Sequence, residues 1–226
     1  MARSSVIPRT LAKIHSLSNP MTSGSLAQNA RRRRWSELIS RFPELPDMRV
    51  LDLGGTPRSW LIAPEMPAHV TTVNLLDLEQ PDDDRITVVT GNACDPSDFV
   101  RNKAYDLVFS NSLMEHVGGH LPRLQLADVI AKSAPRYWVQ TPYRYFPVEP
   151  HWVFPGMQFL PLKARAFVAQ TWPGGNRDVS TAEQSIDDCE WVELLDITAM
   201  RSYFPDAVIW HERFAGLVKS IVAVKA

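Results

Sequence analysis

The sequence has few cysteines and no long apolar run near its N-terminus, and each shortage excludes a class of protein. Its two cysteines, Cys94 and Cys189, form no CxxC pair and no metal-ligand spacing, so we expect reduced thiols in a cytoplasmic protein. The first 30 residues contain no apolar stretch long enough for a signal peptide or a membrane span. We therefore expect residues 1–25 to form a flexible N-terminal arm, and we expect no membrane span.

The sequence also lacks an excess of charge of either sign and lacks internal repeats. It has 24 Lys and Arg residues against 25 Asp and Glu residues, which gives a formal net charge of −1 at pH 7. Such a chain generates no overall field that would attract a polyanion, so we expect no nucleic-acid partner. Its 226 residues suffice for one α/β domain, which we place at residues 26–226.

Short segments rich in β-branched and aromatic residues alternate with helical segments from residue 48 onward. Compact strands of this kind are typical of a parallel sheet that is covered by helices on both faces. Only an Ala-Gly link separates the last two strands, so they must pair as antiparallel neighbours. The predicted strands are 49–53, 69–76, 85–90, 105–110, 136–140, 207–214 and 216–226. The predicted helical segments are 25–42, 113–134 with a break near Gly118, Gly119 and Pro122, 161–172, and 181–204 with a kink.

The stretch RVLDLGGTPRSW, residues 49–60, predicts a strand that enters a glycine turn and then a helix beginning after Thr56. A dinucleotide-binding turn requires G-x-G-x-x-G, and this turn lacks the second and third glycines. Asp52 would repel a diphosphate but attract an ammonium group, while the start of a helix favours a carboxylate. Gly54 and Gly55 allow a ligand to approach the backbone closely. A ligand with both an ammonium and a carboxylate group, such as S-adenosylmethionine, satisfies these requirements.

This turn and the segments that follow it resemble the class I S-adenosylmethionine-dependent methyltransferases, from about residue 48 to the C-terminus. In their first motif, (D/E)-x-G-x-G-x-G, Asp52 and Gly54 match, whereas Thr56 and Arg58 stand where glycines are common. The resemblance implies a doubly wound, Rossmann-like α/β fold. Its seven-stranded sheet would be mostly parallel, with an antiparallel C-terminal strand, and its cofactor would be S-adenosylmethionine.

The second strand end carries the side chain that the family uses to contact the ribose hydroxyls. Asn74 stands at that position, with Leu75 beside it, and Asp77 is the alternative. An asparagine amide can hydrogen-bond a hydroxyl, although it lacks the charge of the usual acid. The resemblance therefore implies that Asn74 and Leu75 belong to the cofactor site.

Two later strand ends complete the similarity. The segment TGNACD is similar to the adenine-contacting stretch after the third strand, which implies that Asn92 and Ala93 contact the adenine. The segment YDLVFSNSLMEHV is similar to the fourth-strand motif that passes under the methionine part of the cofactor. It implies cofactor contacts from Ser110 and Asn111.

Transfer of a methyl group to a hydroxyl requires a base or a metal that acidifies the hydroxyl. The candidate bases are His116, after the fourth strand, and His151, after the fifth, with Glu149 beside the latter. In some hydroxyl-methylating relatives a Glu-x-x-Glu-His segment binds a divalent metal. Here Ser112 replaces the first Glu, which leaves Glu115 and His116 as the candidate ligands of an ion such as Mg²⁺.

The segment 143–180 predicts an aromatic loop or cap that binds the acceptor. Its rings suit stacking on a sugar or enclosing an apolar acceptor, and we assign Tyr143, Tyr145 and Trp152 to the acceptor walls. The alternative is a cap that only packs on itself. The helical run 161–172 predicts either a lid or the face of a homodimer.

The fourth-strand loop also separates substrate classes. Base-amine methyltransferases carry a (D/N/S)-P-P-(Y/F) loop there, whereas this sequence has SNSLMEH, which disfavours DNA or structured RNA as substrate. We expect an O-methyltransferase acting on a small-molecule hydroxyl in a sugar or glycan precursor, because the P-x-E-P-H loop resembles bacterial sugar and lipid O-methyltransferases, including those of methylated-mannose polysaccharide assembly. The alternatives are a lipid or polyketide hydroxyl as acceptor, or a non-catalytic S-adenosylmethionine-binding protein.

Overall fold

The computed structural model describes residues 26–95, 104–172 and 181–226. The predicted arm at 1–25 and the last part of the predicted cap, 173–180, lie outside the described residues. Within those ranges no helix combines the length and the apolar character needed to cross a membrane. The described chain divides into two compact units, one made of residues 35–95, 104–146 and 191–226 and a smaller one made of 26–34, 147–172 and 181–190.

The larger unit is built on a seven-stranded sheet. Its strands are β1 (Arg49–Leu53), β2 (His69–Asn74), β3 (Ile86–Thr90), β4 (Leu107–Asn111), β5 (Arg136–Pro142), β8 (Val208–Phe214) and β9 (Leu217–Lys225). They lie in the order β3-β2-β1-β4-β5-β9-β8. Strands β1 to β5 run parallel to one another, and β9 is antiparallel to both β5 and β8. The predicted fold class is therefore confirmed.

The sheet has an apolar core on each face, because its central strands are buried on both sides. Along β1, Val50 belongs to one cluster of buried side chains and Leu51 to the other, as the two-residue repeat of a strand requires. Leu38, on helix α1 (Leu26–Arg41), packs in the Val50 cluster. Ile130, on helix α3 (His120–Ser133), packs in the Leu51 cluster. This arrangement is doubly wound, as predicted.

The helix following β1, α2 (Pro57–Leu61), begins where the sequence predicts, with Thr56 as its N-cap residue and Pro57 in its first turn. It has only five residues, and the Thr56 hydroxyl bonds the Ser59 hydroxyl at 3.1 Å rather than a backbone N–H. This short helix offers no anion site of the kind expected at the start of a long one.

Two of the predicted helical segments are interrupted. The break predicted near Gly118 and Gly119 is confirmed, because the 3₁₀ turn Met114–His116 ends before these glycines and α3 begins after them, and Gly119 has φ +82°. The predicted helix 181–204 is two helices, α5 (Ala182–Glu190) and α6 (Ile197–Tyr203). A new helix begins because the Asp196 carboxylate caps it, accepting from the Ala199 N–H at 2.8 Å.

The C-terminal hairpin turns through two residues with positive φ, Ala215 at +48° and Gly216 at +83°. A two-residue turn of this kind matches the twist of antiparallel strands. The predicted antiparallel pairing of the last two strands is confirmed. Elsewhere in the larger unit, the Arg144 N–H donates to the Leu195 carbonyl at 2.9 Å, which brings together the chain just before Pro147 and just after Glu190.

The described residues of the smaller unit include the first part of α1, a two-stranded ribbon, β6 (Val148–Glu149) and β7 (Phe154–Pro155), and helices α4 (Leu162–Thr171) and α5. Helix α4 confirms the predicted helix at 161–172. Helix α4 contacts α5, and the Arg165 guanidinium donates to the Cys189 carbonyl at 3.1 Å.

Candidate active site

A cavity of about 320 Å³ opens at the carboxyl ends of β1, β2 and β3 in the larger unit. Its size suits a small-molecule ligand, and ligands of open α/β sheets bind at this edge. The wall contains residues from four strand ends, from the start of α3 and from the segment before α6. The lining residues are Gly54, Val73, Asn74, Leu75, Gly91, Asn92, Ala93, Cys94, Leu113, His116, Val117, Pro122, Gln125 and Trp191.

Gly54 begins the turn after β1 and requires the absence of a side chain for two reasons. Its φ is +82°, a conformation that costs other residues free energy. A Cβ there would also lie 2.9 Å from the Leu113 Cδ1 atom, which packs over the turn. The Gly54 N–H donates to the Val73 carbonyl at 2.8 Å, so the turn begins while still bonded to β2.

Asp52 lies beneath this turn and not in the cavity wall. Its side chain is buried, and its Oδ2 accepts a hydrogen bond from the Trp60 indole N–H at 2.7 Å. A Cβ on Gly55 would lie 1.7 Å from the same oxygen, so the glycine makes room for the carboxylate. Burial raises the pKa of Asp52 to about 7, and the hydrogen bond from Trp60 opposes that rise.

The raised pKa of Asp52 makes the stability of the ligand-free protein depend on pH. The pKa of Asp52 in the folded protein lies above the ordinary value of 3.8. The contribution of the protonated carboxyl to the free energy of unfolding is therefore complete below pH 3.8 and is lost as pH rises to about 7. The free energy of unfolding of the wild type, minus that of Asp52→Asn, should fall by at most about 4 kcal/mol between pH 4 and pH 8. Denaturant unfolding of both proteins at four pH values measures this difference. A difference that does not change with pH would contradict the assignment.

Asn74 ends β2 and turns its side chain toward the glycine turn. Its amide nitrogen donates to the Gly55 carbonyl at 3.0 Å and to the Gly54 carbonyl at 3.3 Å. Its amide oxygen accepts from the Leu76 N–H at 3.0 Å. Both ends of the amide are therefore bonded to backbone.

The turn after β3 has a similar asparagine. The Asn92 amide oxygen accepts from the Cys94 N–H at 2.9 Å, and Ala93 between them is buried in the cavity wall. Cys94 is a free thiol, and burial raises its pKa. Asn92 and Ala93, the two residues predicted to contact the adenine, therefore both line the cavity, and the Cys94 thiol lies beside them.

The end of β4 is held by side-chain hydrogen bonds. The buried Ser110 hydroxyl donates to the Leu53 carbonyl at 3.0 Å, and Asn111 is exposed. Ser112 has φ +59°, a costly conformation for a residue with a Cβ. Gln140 stabilises it twice, because its carbonyl accepts from the Ser112 N–H and its Oε1 accepts from the Ser112 hydroxyl, both at 3.0 Å.

The 3₁₀ turn after β4 carries Glu115 and His116. Glu115 is fully buried, and its Oε2 accepts from the Thr141 hydroxyl at 2.9 Å. His116 lies in the cavity wall. The buried Arg123 fixes this turn, because its Nε donates to the Met114 carbonyl at 3.0 Å.

Arg123 also binds the segment that precedes α6. Its guanidinium donates to the Glu193 carbonyl at 3.0 Å and forms an ion pair with the Glu193 carboxylate at 2.9 Å. The Glu193 N–H in turn donates to the Glu115 carbonyl at 2.9 Å. Two parts of the cavity wall, around His116 and around Trp191, are thereby joined.

The structure brings together part of the predicted site. Of the predicted cofactor residues, five lie in the cavity wall and four lie within three residues of a wall residue along the chain. Those in the wall are Gly54, Asn74, Leu75, Asn92 and Ala93, and those beside it are Asp52, Gly55, Ser110 and Asn111. Among the predicted acceptor residues, Tyr143 and Tyr145 form an edge-to-face pair with ring centroids 5.6 Å apart.

The smaller unit contains the other predicted site residues. The Glu149 carboxylate is buried, accepts from the backbone N–H groups of His151 and Trp152 at 2.7 and 2.9 Å, and bonds the His151 Nδ1 atom at 2.6 Å. Trp152 is buried. A carboxylate that orients an imidazole in this way is a common arrangement around a general base.

Sequence analysis missed Trp191, whose large side chain is 52% exposed and yet lines the cavity. It was assigned to the middle of a predicted helix, where it would be an ordinary packing residue. The signal that could have found it is Asp196, a strong N-cap residue that indicates a new helix and a loop before it.

Comparison with known proteins gives similarity at the level of the fold. No protein-family model and no curated protein matches the sequence. A candidate S-adenosylmethionine-dependent methyltransferase from Listeria monocytogenes superimposes with a TM-score of 0.53 at 10% identity, over 87% of this chain and 99% of that one. The chain has a Rossmann-like methyltransferase fold.

Two further structures with this fold are similar. Magnesium protoporphyrin IX methyltransferase from Synechocystis PCC 6803, with bound S-adenosylmethionine, gives a TM-score of 0.51 at 10% identity, over 96% of this chain and 92% of that one. An O-methyltransferase family protein from Burkholderia thailandensis gives 0.50 at 13% identity, over 88% of this chain and 57% of that one.

Proposed function

We propose that this protein is an S-adenosylmethionine-dependent methyltransferase that transfers the methyl group to a hydroxyl of a small molecule. The observation that carries the proposal is the cavity at the carboxyl ends of β1, β2 and β3. Residues from all three strand ends, Gly54, Leu75 and Ala93, meet there on the methyltransferase fold. The similar Synechocystis methyltransferase with bound S-adenosylmethionine supports the choice of cofactor.

The cavity residues suit the parts of this cofactor. Leu75, Ala93 and Val117 offer apolar surface to an adenine ring, and the turn at Gly54 lets a ligand approach the backbone. Among the described residues, no group hydrogen-bonds the buried Oδ1 of Asp52. A ligand with an ammonium group near the turn would favour the charged form of that carboxyl. When bound, the cofactor supplies an electrophilic methyl group on a sulfonium.

The reaction needs positioning and the removal of one proton. The acceptor hydroxyl oxygen forms a bond to the methyl carbon as the carbon–sulfur bond breaks, and the hydroxyl proton passes to a base. His116, in the cavity wall, is the first candidate for that base. His151, oriented by Glu149, is the second.

For the acceptor we propose a sugar or glycan precursor, with a lipid or polyketide hydroxyl as the alternative. The edge-to-face pair of Tyr143 and Tyr145, with Tyr145 56% exposed, offers ring surface that suits the apolar face of a sugar. Transfer from isotopically labelled cofactor to sugar, lipid and phenol panels, read by mass, distinguishes these classes. The same assays with EDTA and with Mg²⁺ restored test whether Glu115 and His116 hold a divalent ion.

Cofactor binding itself is tested at Cys94, which lines the cavity. S-adenosylhomocysteine at about 100 times its Kd should slow alkylation of this thiol about 100-fold, because only about 1% of sites stay open. Because burial raises the thiol pKa, the reaction is run at alkaline pH and followed by peptide mass analysis. The fully buried Cys189 is the internal control.

An alkylation rate of Cys94 that is unchanged by saturating S-adenosylhomocysteine would contradict the proposed cofactor site. Protection of Cys94 without methyl transfer to any acceptor panel would instead favour a non-catalytic S-adenosylmethionine-binding protein. Isothermal titration calorimetry with the same ligand gives the Kd that sets the concentrations for both results.

A further inference from the structure

We infer that Asn74 acts as a positioning residue that fixes the turn at Gly54 and Gly55, and that it is not a ligand of the cofactor ribose. The inference deepens the proposed function, since it assumes that this cavity binds S-adenosylmethionine. The resemblance to the methyltransferases implies a ribose contact for the side chain at the end of the second strand. Here the amide nitrogen faces the Gly55 and Gly54 carbonyls at 3.0 and 3.3 Å.

The hydrogen-bonding capacity of the Asn74 side chain is largely used within the protein. Besides the two carbonyls, its Oδ1 accepts from the Leu76 N–H at 3.0 Å. The main chain of Asn74 also holds the third strand end, because its carbonyl accepts from the Gly91 N–H at 2.8 Å. One residue thus connects the ends of β1, β2 and β3, which are three of the four strand ends in the cavity wall.

The turn needs such a connection because two consecutive glycines have more backbone freedom than any other pair. Without the Asn74 amide, the Gly54 and Gly55 carbonyls would lose their donor, and the turn would sample other conformations. A cofactor would then have to order the turn on binding, which lowers its affinity.

This role predicts an order of variants that is opposite to the one implied by ribose binding. A carboxylate has no N–H to donate, so Asn74→Asp would direct its oxygens at two carbonyl oxygens and repel them. Asn74→Ala only removes the donor. If the side chain bound the ribose hydroxyls, the acid would instead be the better ligand.

The first test needs no ligand. In hydrogen exchange read by mass or NMR, Asn74→Ala should speed exchange of the backbone amides at residues 54–56 at least about 10-fold. Asn92→Ala is the matched control, because it removes an asparagine from the same cavity that bonds Cys94 and not the turn. It should leave those amides unchanged. Unchanged exchange in Asn74→Ala would overturn the inference.

The second test is a thermodynamic cycle that combines removal of the Asn74 side chain with removal of the ribose 2′-hydroxyl of the ligand. Calorimetry with S-adenosylhomocysteine should give a Kd about 10-fold weaker for Asn74→Ala and about 100-fold weaker for Asn74→Asp. An analogue without the 2′-hydroxyl should bind more weakly than S-adenosylhomocysteine, and the ratio of the two Kd values should agree within about 2-fold between wild type and Asn74→Ala. A tighter Kd for the Asp variant than for the Ala variant would overturn the inference. So would an effect of removing the 2′-hydroxyl that differs about 10-fold or more between wild type and Asn74→Ala.

The two proposals fail in different ways. If wild type binds no S-adenosylhomocysteine but Asn74→Ala still speeds exchange in the turn, Asn74 positions the turn and the cofactor assignment is wrong. If wild type binds the ligand and the ribose cycle shows coupling, the cofactor assignment stands and the inference is wrong.

Discussion

Replacing Gly55 with alanine is expected to lower the free energy of unfolding by about 3 kcal/mol or more and to abolish binding of S-adenosylhomocysteine. The added Cβ would lie 1.7 Å from the Asp52 Oδ2 atom, far inside contact distance. The carboxylate cannot simply rotate away, because it is buried and accepts the Trp60 indole N–H at 2.7 Å. Either the turn or this buried hydrogen bond must give way. Denaturant unfolding and calorimetry measure the two effects.

Gly91→Ala is the matched control, because Gly91 also lines the cavity but its Cβ would have Val73 Cγ1 as nearest neighbour at 3.8 Å. Its free energy of unfolding should stay within about 0.5 kcal/mol of wild type. In addition, Asp52→Ala combined with Gly55→Ala should be less destabilised than the sum of the two single variants, since the carboxylate that clashes is gone. Additive effects would show that the clash with the Asp52 carboxylate does not determine the loss of stability in Gly55→Ala.

Replacing His116 with alanine is expected to lower turnover about 100-fold or more if this imidazole takes the acceptor proton. The Kd for S-adenosylhomocysteine should remain within about 3-fold of wild type, because the proton leaves the acceptor and not the cofactor. The split between turnover and affinity separates a base from a residue that only shapes the cavity. Initial rates at saturating cofactor and calorimetry give both values.

His120→Ala provides the control for the His116 variant. His120 lies four residues further along the chain, is exposed, and bonds the Tyr203 hydroxyl through Nδ1 at 2.8 Å. Its removal should leave turnover unchanged. His151→Ala tests the second candidate in the same assay, and wild-type turnover in both His116→Ala and His151→Ala would exclude either imidazole as the base.

The sheet was predictable from the sequence because its strands are short segments rich in β-branched and aromatic residues. RITVVT, residues 85–90, predicts a strand that the structure has as Ile86–Thr90, paired with β2 along its whole length. The antiparallel C-terminal pair was predictable from its two-residue link. Because the carboxyl ends of parallel strands lie at one edge of a sheet, the strand pattern alone predicts that Gly54, Leu75 and Ala93 lie at the same edge, where the structure has them.

The direction of side chains was not predictable. The sequence shows an acid before two glycines, but not that Asp52 turns toward Trp60, eight residues later on a five-residue helix. Trp191 was missed for a related reason. An apolar repeat continues through 181–204, and periodicity alone does not reveal that Asp196 starts a separate helix there.

The hydrogen bond between Arg144 and Leu195 has a consequence for how this protein could have diversified. The chain leaves the larger unit at Phe146 and returns at Trp191, and that bond holds the exit and the return side by side. The segment between them, residues 147–190, can therefore change in length during evolution while the strands that surround the cavity keep their pairing.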